Sequence, residues 1–190
     1  MRHCFTAHQW LPHPIELVFA FFANPQNLAP LMPRWRRVRM EELHLTAPPP
    51  RPVREGGLRL RSIAAGEGTR MTISFRPIPF CPLRMPWDAV ITEFAWNEHF
   101  CDEQAKRGPF AYWKHCHRVK EEVREGRAGT LVTDDLTFEM RVGLLGEAGY
   151  WLAAKEQVAS LFDYRQKKLA EILARFPLKP ASDPASAAEA

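Results

Sequence analysis

The sequence predicts an α+β fold in which a strongly curved antiparallel sheet of about seven strands wraps around one long C-terminal helix. Three observations predict it. Short segments of alternating hydrophobicity, separated by turn residues, fill most of the chain between residues 35 and 142. Consecutive strands joined by short turns pair antiparallel, and such a sheet needs one face covered. The last periodic stretch is the only one large enough to cover it. From about Gly146, the residues Trp151, Ala154, Val158, Leu161, Arg165, Leu169, Ile172 and Phe176 step by three and four. That spacing marks a helix of roughly 25–30 residues, about 40 Å long.

The elements follow in order. Residues 3–11 alternate as a strand, which Pro12 and Pro14 stop. Ile15, Val18, Phe19 and Phe22 then fall on one helix face, with the helix running over residues 15–23. Asn24 caps a second short helix that starts at Pro25 and ends before Pro33. Residues 35–45 form a strand candidate, and residues 46–57 a Pro-rich loop. Further strands are expected at 58–64, 70–75, 87–96, 99–105, 110–123 and 130–142. Gly66-Glu67-Gly68, Arg107-Gly108-Pro109 and Ala128-Gly129 supply turns. The Pro-punctuated stretch 76–82 is edge or loop, because proline lacks the ladder donor. One domain is expected over residues 1–177, followed by a disordered tail at 178–190 that has little to pack.

Composition narrows the partners. The net charge is +4 and 46% of residues are hydrophobic, which is ordinary for a globular chain. The densest basic run, residues 34–39, reads as a strand with a solvated face. A nucleic-acid partner is not expected, because no nucleic-acid motif accompanies the run. No apolar stretch reaches membrane-spanning length, and no apolar leader follows Met1. Cys4, Cys81, Cys101 and Cys116 show no C-x-x-C spacing. These features predict a cytoplasmic protein with reduced thiols.

The stretches PIELVFAFFANPQNL (14–28), PLRMPWDAVITEF (82–94), FCDEQAKRGPFAYWKHCHR (100–118), GTLVTDDLTFEM (129–140) and LFDYRQKKL (161–169) resemble the SRPBCC or START-like helix-grip superfamily. The likeness is to its small bacterial members of the polyketide cyclase/dehydrase-like group, and it covers about residues 3 to 176. The resemblance implies a deep, mostly apolar cavity for lipids, polyketides, sterols or similar molecules. Some members catalyse cyclisation or dehydration, and many only bind or carry. A shared fold does not decide between these.

The chemistry concentrates in residues 100–118. With Gly108-Pro109 at the centre of the turn, Asp102 faces His115, Gln104 faces Trp113 and Phe100 faces His117, all on one side of the sheet. Cys101 then faces Cys116 on the other side. Asp134 or Asp135 on the next strand falls beside His117. Three readings of this face stay open. It is a satisfied polar cluster that fixes register, a polar anchor inside an apolar site, or a His–carboxylate general base acting in a cyclisation or dehydration. In the catalytic reading the residues are His115, His117 and Asp102. Ligand-lining candidates are Gln104, Trp113, Asp134, Arg165, Trp87, Phe80, Met85 and Trp151. Arg165 interrupts the apolar stripe of the long helix and suits a ligand carboxylate. His115-x-His117 with Asp102 or Asp134 has the donor types of a zinc site, but most such pairs bind nothing. No metal and no cofactor are assigned. The expected partner is a hydrophobic small molecule, and the sequence leaves the oligomeric state open.

Overall fold

A computed structural model describes residues 1–52, 60, 62–141 and 155–176. Its elements are β1 (Arg2–Leu11), α1 (Ile15–Ala23), three single 3-10 turns, β2 (Arg39–His44), β3 (Arg70–Phe75), β4 (Met85–Ala95), β5 (His99–Gln104), β6 (Phe110–Arg124), β7 (Arg127–Met140) and α2 (Lys155–Leu173). Among the described residues the strands form one antiparallel seven-stranded sheet in the order β1-β7-β6-β5-β4-β3-β2. The sheet is open. Register shifts at Met40/Glu42, Ile91/Glu93 and Phe110/Tyr112 put extra residues into three strands. Such bulges bend a strand and raise its twist, which lets the sheet curve around the helices.

The core lies where α1 and the end of α2 meet the middle of the sheet. α1 is apolar on most sides and buries Ile15, Val18, Phe19 and Phe21. Phe19 packs at ring distances of 5.5 to 6.0 Å on Phe94, Trp96 and Phe100. Burying a side chain of this size contributes about 2–3 kcal/mol. Asn24 then accepts the Gln26 amide at 3.1 Å and opens the first 3-10 turn, Pro25–Asn27. The expected short helix is thus two 3-10 turns, the second at Ala29–Leu31.

α2 buries Phe162, Leu169 and Leu173. The predicted stripe is rotated in part: Leu169 is inside, while Phe176 is exposed. The expected start of this helix, with Trp151, lies outside the described residues, as does the tail at 178–190.

Several expectations are corrected. Arg34–Arg36 is a 3-10 turn ending on a left-handed Arg37, so strand β2 begins only at Arg39. Among residues 58–64, the described ones form no strand. The β6–β7 turn is Glu125-Gly126, both at positive φ, the geometry that suits a two-residue hairpin. Gly129 lies inside β7 instead, and a Cβ there would come within 2.6 Å of the Trp10 ring. The expectation of reduced thiols fails for one pair, because Cys101 and Cys116 form a disulfide. They face each other directly across β5 and β6. Cys4 and Cys81 are free.

Candidate functional site

The β5–β6 hairpin sets the site. The observed register pairs Phe100 with His117, Cys101 with Cys116 and Asp102 with His115, as the turn position predicts. β7 then places Asp134 opposite His117. Side chains alternate across a strand, so Asp102, His115, His117 and Asp134 all reach the concave side.

There they form one cluster. His115 Nε2 lies 3.0 Å from Asp134 Oδ1, and His115 Nδ1 lies 3.7 Å from Asp102 Oδ1. The other Asp102 oxygen accepts the Trp113 indole N–H at 3.3 Å. His117 Nδ1 approaches Asp134 Oδ1 to 2.6 Å, yet the oxygen lies off the hydrogen-bond direction and leaves this buried nitrogen unsatisfied. The two imidazole centroids are 4.1 Å apart, and Phe100 and Phe22 flank His117 at 4.6 and 4.9 Å.

Burial sets the protonation. It pushes the Asp102 carboxyl up, only partly offset by His115 and Trp113. Asp102 keeps 21% of its side-chain surface, and that surface belongs to the cavity wall. Burial also drives His115 down, with the neighbouring His117 adding to it. Burial alone would raise Asp134, but the charge of the nearby His117 and the hydrogen bond from His115 outweigh it and hold the carboxyl well below its usual range. A neutral His115 beside an ionised Asp134 donates from Nε2, so its Nδ1 lone pair faces Asp102.

The cluster opens into a hollow of two adjoining chambers. The first, about 120 Å³, is lined by Asp102, Trp113, His115, His117 and Arg165 together with apolar residues of α1, the 3-10 turns and β3–β5. The second, about 210 Å³, lies between the sheet and α2, among Phe75, Met85, Phe110, Met140, Val158 and Leu161. Met32, Ile73, Trp87 and Trp113 line both chambers and separate them. Trp87 and Trp113 meet edge to face at 4.7 Å. The Trp87 indole N–H is buried and has no partner among the described residues.

Most predicted site residues meet here. Asp102, His115, His117, Trp113, Trp87 and Arg165 line the first chamber, and Met85 lines the second. Asp134 stands behind the imidazoles. Two residues are elsewhere. Phe80 is fully exposed on a loop at positive φ, because Pro79 and Pro82 keep this stretch out of the sheet. Gln104 holds the hairpin turn, donating to the Phe110 carbonyl at 2.7 Å and accepting its amide at 3.3 Å. Trp151 lies outside the described residues. The sequence reading missed Arg36, which reaches the second chamber half-buried, with its guanidinium affinity for protons lowered by burial. It also missed Ile73 and Phe75, whose alternation along β3 was a readable signal.

No protein-family model matches the chain, and no curated protein sequence matches it. Solved structures do. Norcoclaurine synthase from Thalictrum flavum, in complex with dopamine and hydroxybenzaldehyde, aligns at TM-score 0.58 and 10% identity, over 94% of this chain and 90% of its own. TTHA0849 from Thermus thermophilus aligns at 0.55 and 18% identity, over 90% and 99%. CV1439 from Chromobacterium violaceum aligns at 0.56 and 13% identity, over 89% and 95%. This is the helix-grip fold. At these identities the likeness shows the fold alone. No described helix is long and apolar enough to cross a membrane.

Proposed function

We propose that the protein binds a hydrophobic small molecule, lipid-, polyketide- or sterol-like, between the sheet and α2. The observation that carries this reading is the Trp87 indole N–H, buried without a partner where the two chambers meet. An unsatisfied buried donor costs about 1–3 kcal/mol, which an acceptor oxygen on a ligand offsets. The ligand therefore carries a carbonyl, hydroxyl or carboxylate near its middle, with apolar parts on both sides. Arg165 suits an anionic group in the first chamber. The norcoclaurine synthase neighbour, solved with two small aromatic molecules, supports small-molecule binding on this fold. We also propose a cytoplasmic setting, with which the Cys101–Cys116 disulfide is compatible because both cysteines are buried away from soluble reductants.

Native mass spectrometry of protein from its own host, followed by titration with fatty acids, sterols and aromatic polyketides, tests the reading. A co-purified or saturably bound hydrophobic molecule is expected. Trp87→Phe keeps the ring and removes the donor, and should weaken binding about tenfold. Absence of any saturable ligand in both experiments ends the proposal.

A second reading is a cyclase or dehydratase. It is favoured by His115, an imidazole oriented by a carboxylate on one nitrogen and facing the chamber side with the other. Wild-type turnover of a confirmed substrate by both His115→Ala and His117→Ala would remove it.

A further inference from the structure

We propose that Asp102, His115 and His117 form a mononuclear site for a divalent transition-metal ion of the zinc type, with Asp134 as the carboxylate that orients His115. The inference is independent of the hydrophobic ligand, since an ion can be held whether or not the chambers are filled.

Geometry supports it first. One donor atom from each of the three residues lies within 4.8 Å of the other two. Donors about 2.1 Å from a tetrahedral ion stand roughly 3.4 Å apart. The 3.7 Å between His115 Nδ1 and Asp102 Oδ1 is too long for a hydrogen bond and close to that ligand separation. Side-chain rotations of a few tenths of an ångström would close this pair on an ion, and no two of the three donors stand more than 4.8 Å apart.

The surroundings point the same way. Metal-bound histidines place their second ring nitrogen on a carboxylate, which fixes tautomer and orientation. His115 already does so through Nε2 and Asp134 at 3.0 Å, leaving Nδ1 directed at Asp102. Trp113 occupies one Asp102 oxygen and leaves the other free. The most telling group is His117, only 5% exposed, whose Nδ1 sits 2.6 Å from Asp134 without a hydrogen bond. A cluster serving register alone would satisfy that nitrogen. Two histidines and one carboxylate leave further coordination positions open. Because all three residues line the first chamber, those positions face its occupant. Arg165, also on that chamber wall, stands near Asp102 and balances one of the two carboxylates.

The test uses the untagged full chain, stripped with a chelator and titrated with Zn(II) alone and with Co(II) alone. Binding is read by calorimetry and by the visible absorption of cobalt. One equivalent per chain is expected, with an absorption intensity typical of four or five ligands. The His115→Ala/His117→Ala double variant should lose this uptake, and Asp134→Asn should weaken it about 10- to 100-fold. His99→Ala, on the opposite face, should bind like the wild type. Should the double variant fail to fold, Asp102→Asn decides the matter, because it keeps the side-chain shape. It should bind at least tenfold more weakly, and its cobalt spectrum should change. Absence of saturable uptake of either ion overturns the proposal. So does uptake with unchanged affinity and spectrum in the folded double variant, or in Asp102→Asn.

Discussion

The two faces of the sheet use the same kinds of residue to opposite ends. On the concave side, His115, His117 and Asp134 are buried, Asp102 is exposed only to the chamber, and the four hold one another. On the convex side, Lys114 lies between Glu93 at 2.5 Å and Glu103 at 3.5 Å, and Arg107 grips Asp88 at 2.8 Å. The convex pairs are solvated, and such pairs contribute little each. The concave cluster is mostly buried, so each lost partner strands another charge or donor. Identical chemistry thus produces tolerance on one face and dependence on the other.

The largest expected effect tests the dependence. Asp134→Ala removes the acceptor of His115 and the carboxylate 2.6 Å from His117. It should lower stability by about 3 kcal/mol, read as a shift of the urea midpoint without a change in slope. A loss below about 1 kcal/mol would mean that the concave side is no more demanding than the convex one.

The disulfide comes next, because it ties the convex faces of the two strands that carry the histidines. It closes a loop over a sequence separation of 15 residues. Paired Cys101→Ser and Cys116→Ser substitutions should cost about 2–3 kcal/mol in thermal or denaturant unfolding. An unchanged midpoint would show that register alone holds the hairpin.

The smallest effect belongs to the convex carboxylate Asp88. The Arg107 side-chain hydrogen bond, aided by the Arg107 amide and Thr72, outweighs burial and holds its pKa near 2, below the ordinary 3.8. A folded value below the unfolded one stabilises the fold above the unfolded pKa, and this stabilisation is lost as pH falls through the folded pKa. Asp88→Asn should therefore be less stable than wild type by about 1 kcal/mol at neutral pH, after allowance for solvent screening. That gap should close between about pH 4 and about pH 2. A gap that stays constant over this range would sever the link to Arg107.

Much of this was legible in the chain itself. Period-two alternation marked β1 and β3 to β7 within a few residues, and the Gly108-Pro109 turn put Asp102, His115 and His117 on one face. Alternation speaks only of faces, so it could not say that Asp134 would bond His115 as well as lie opposite His117. Cys101 opposite Cys116 was legible as a pairing, but spacing rules that look for C-x-x-C do not see cross-strand bonds. Arg34–Arg36 misled because proline at 33 and a left-handed Arg37 override the strand-like pattern of Trp35 and Val38. Phe80 misled because an aromatic flanked by prolines can be held outside any layer.

One further consequence follows from the wall between the chambers. Met32, Ile73, Trp87 and Trp113 line both sides of it. Under the proposed binding, a compact ligand occupies one chamber, and an extended one turns Trp87 or Trp113 aside. Under that proposal size selection has the character of a latch, and exchanging a single indole for a smaller ring would lengthen the space without rebuilding the fold.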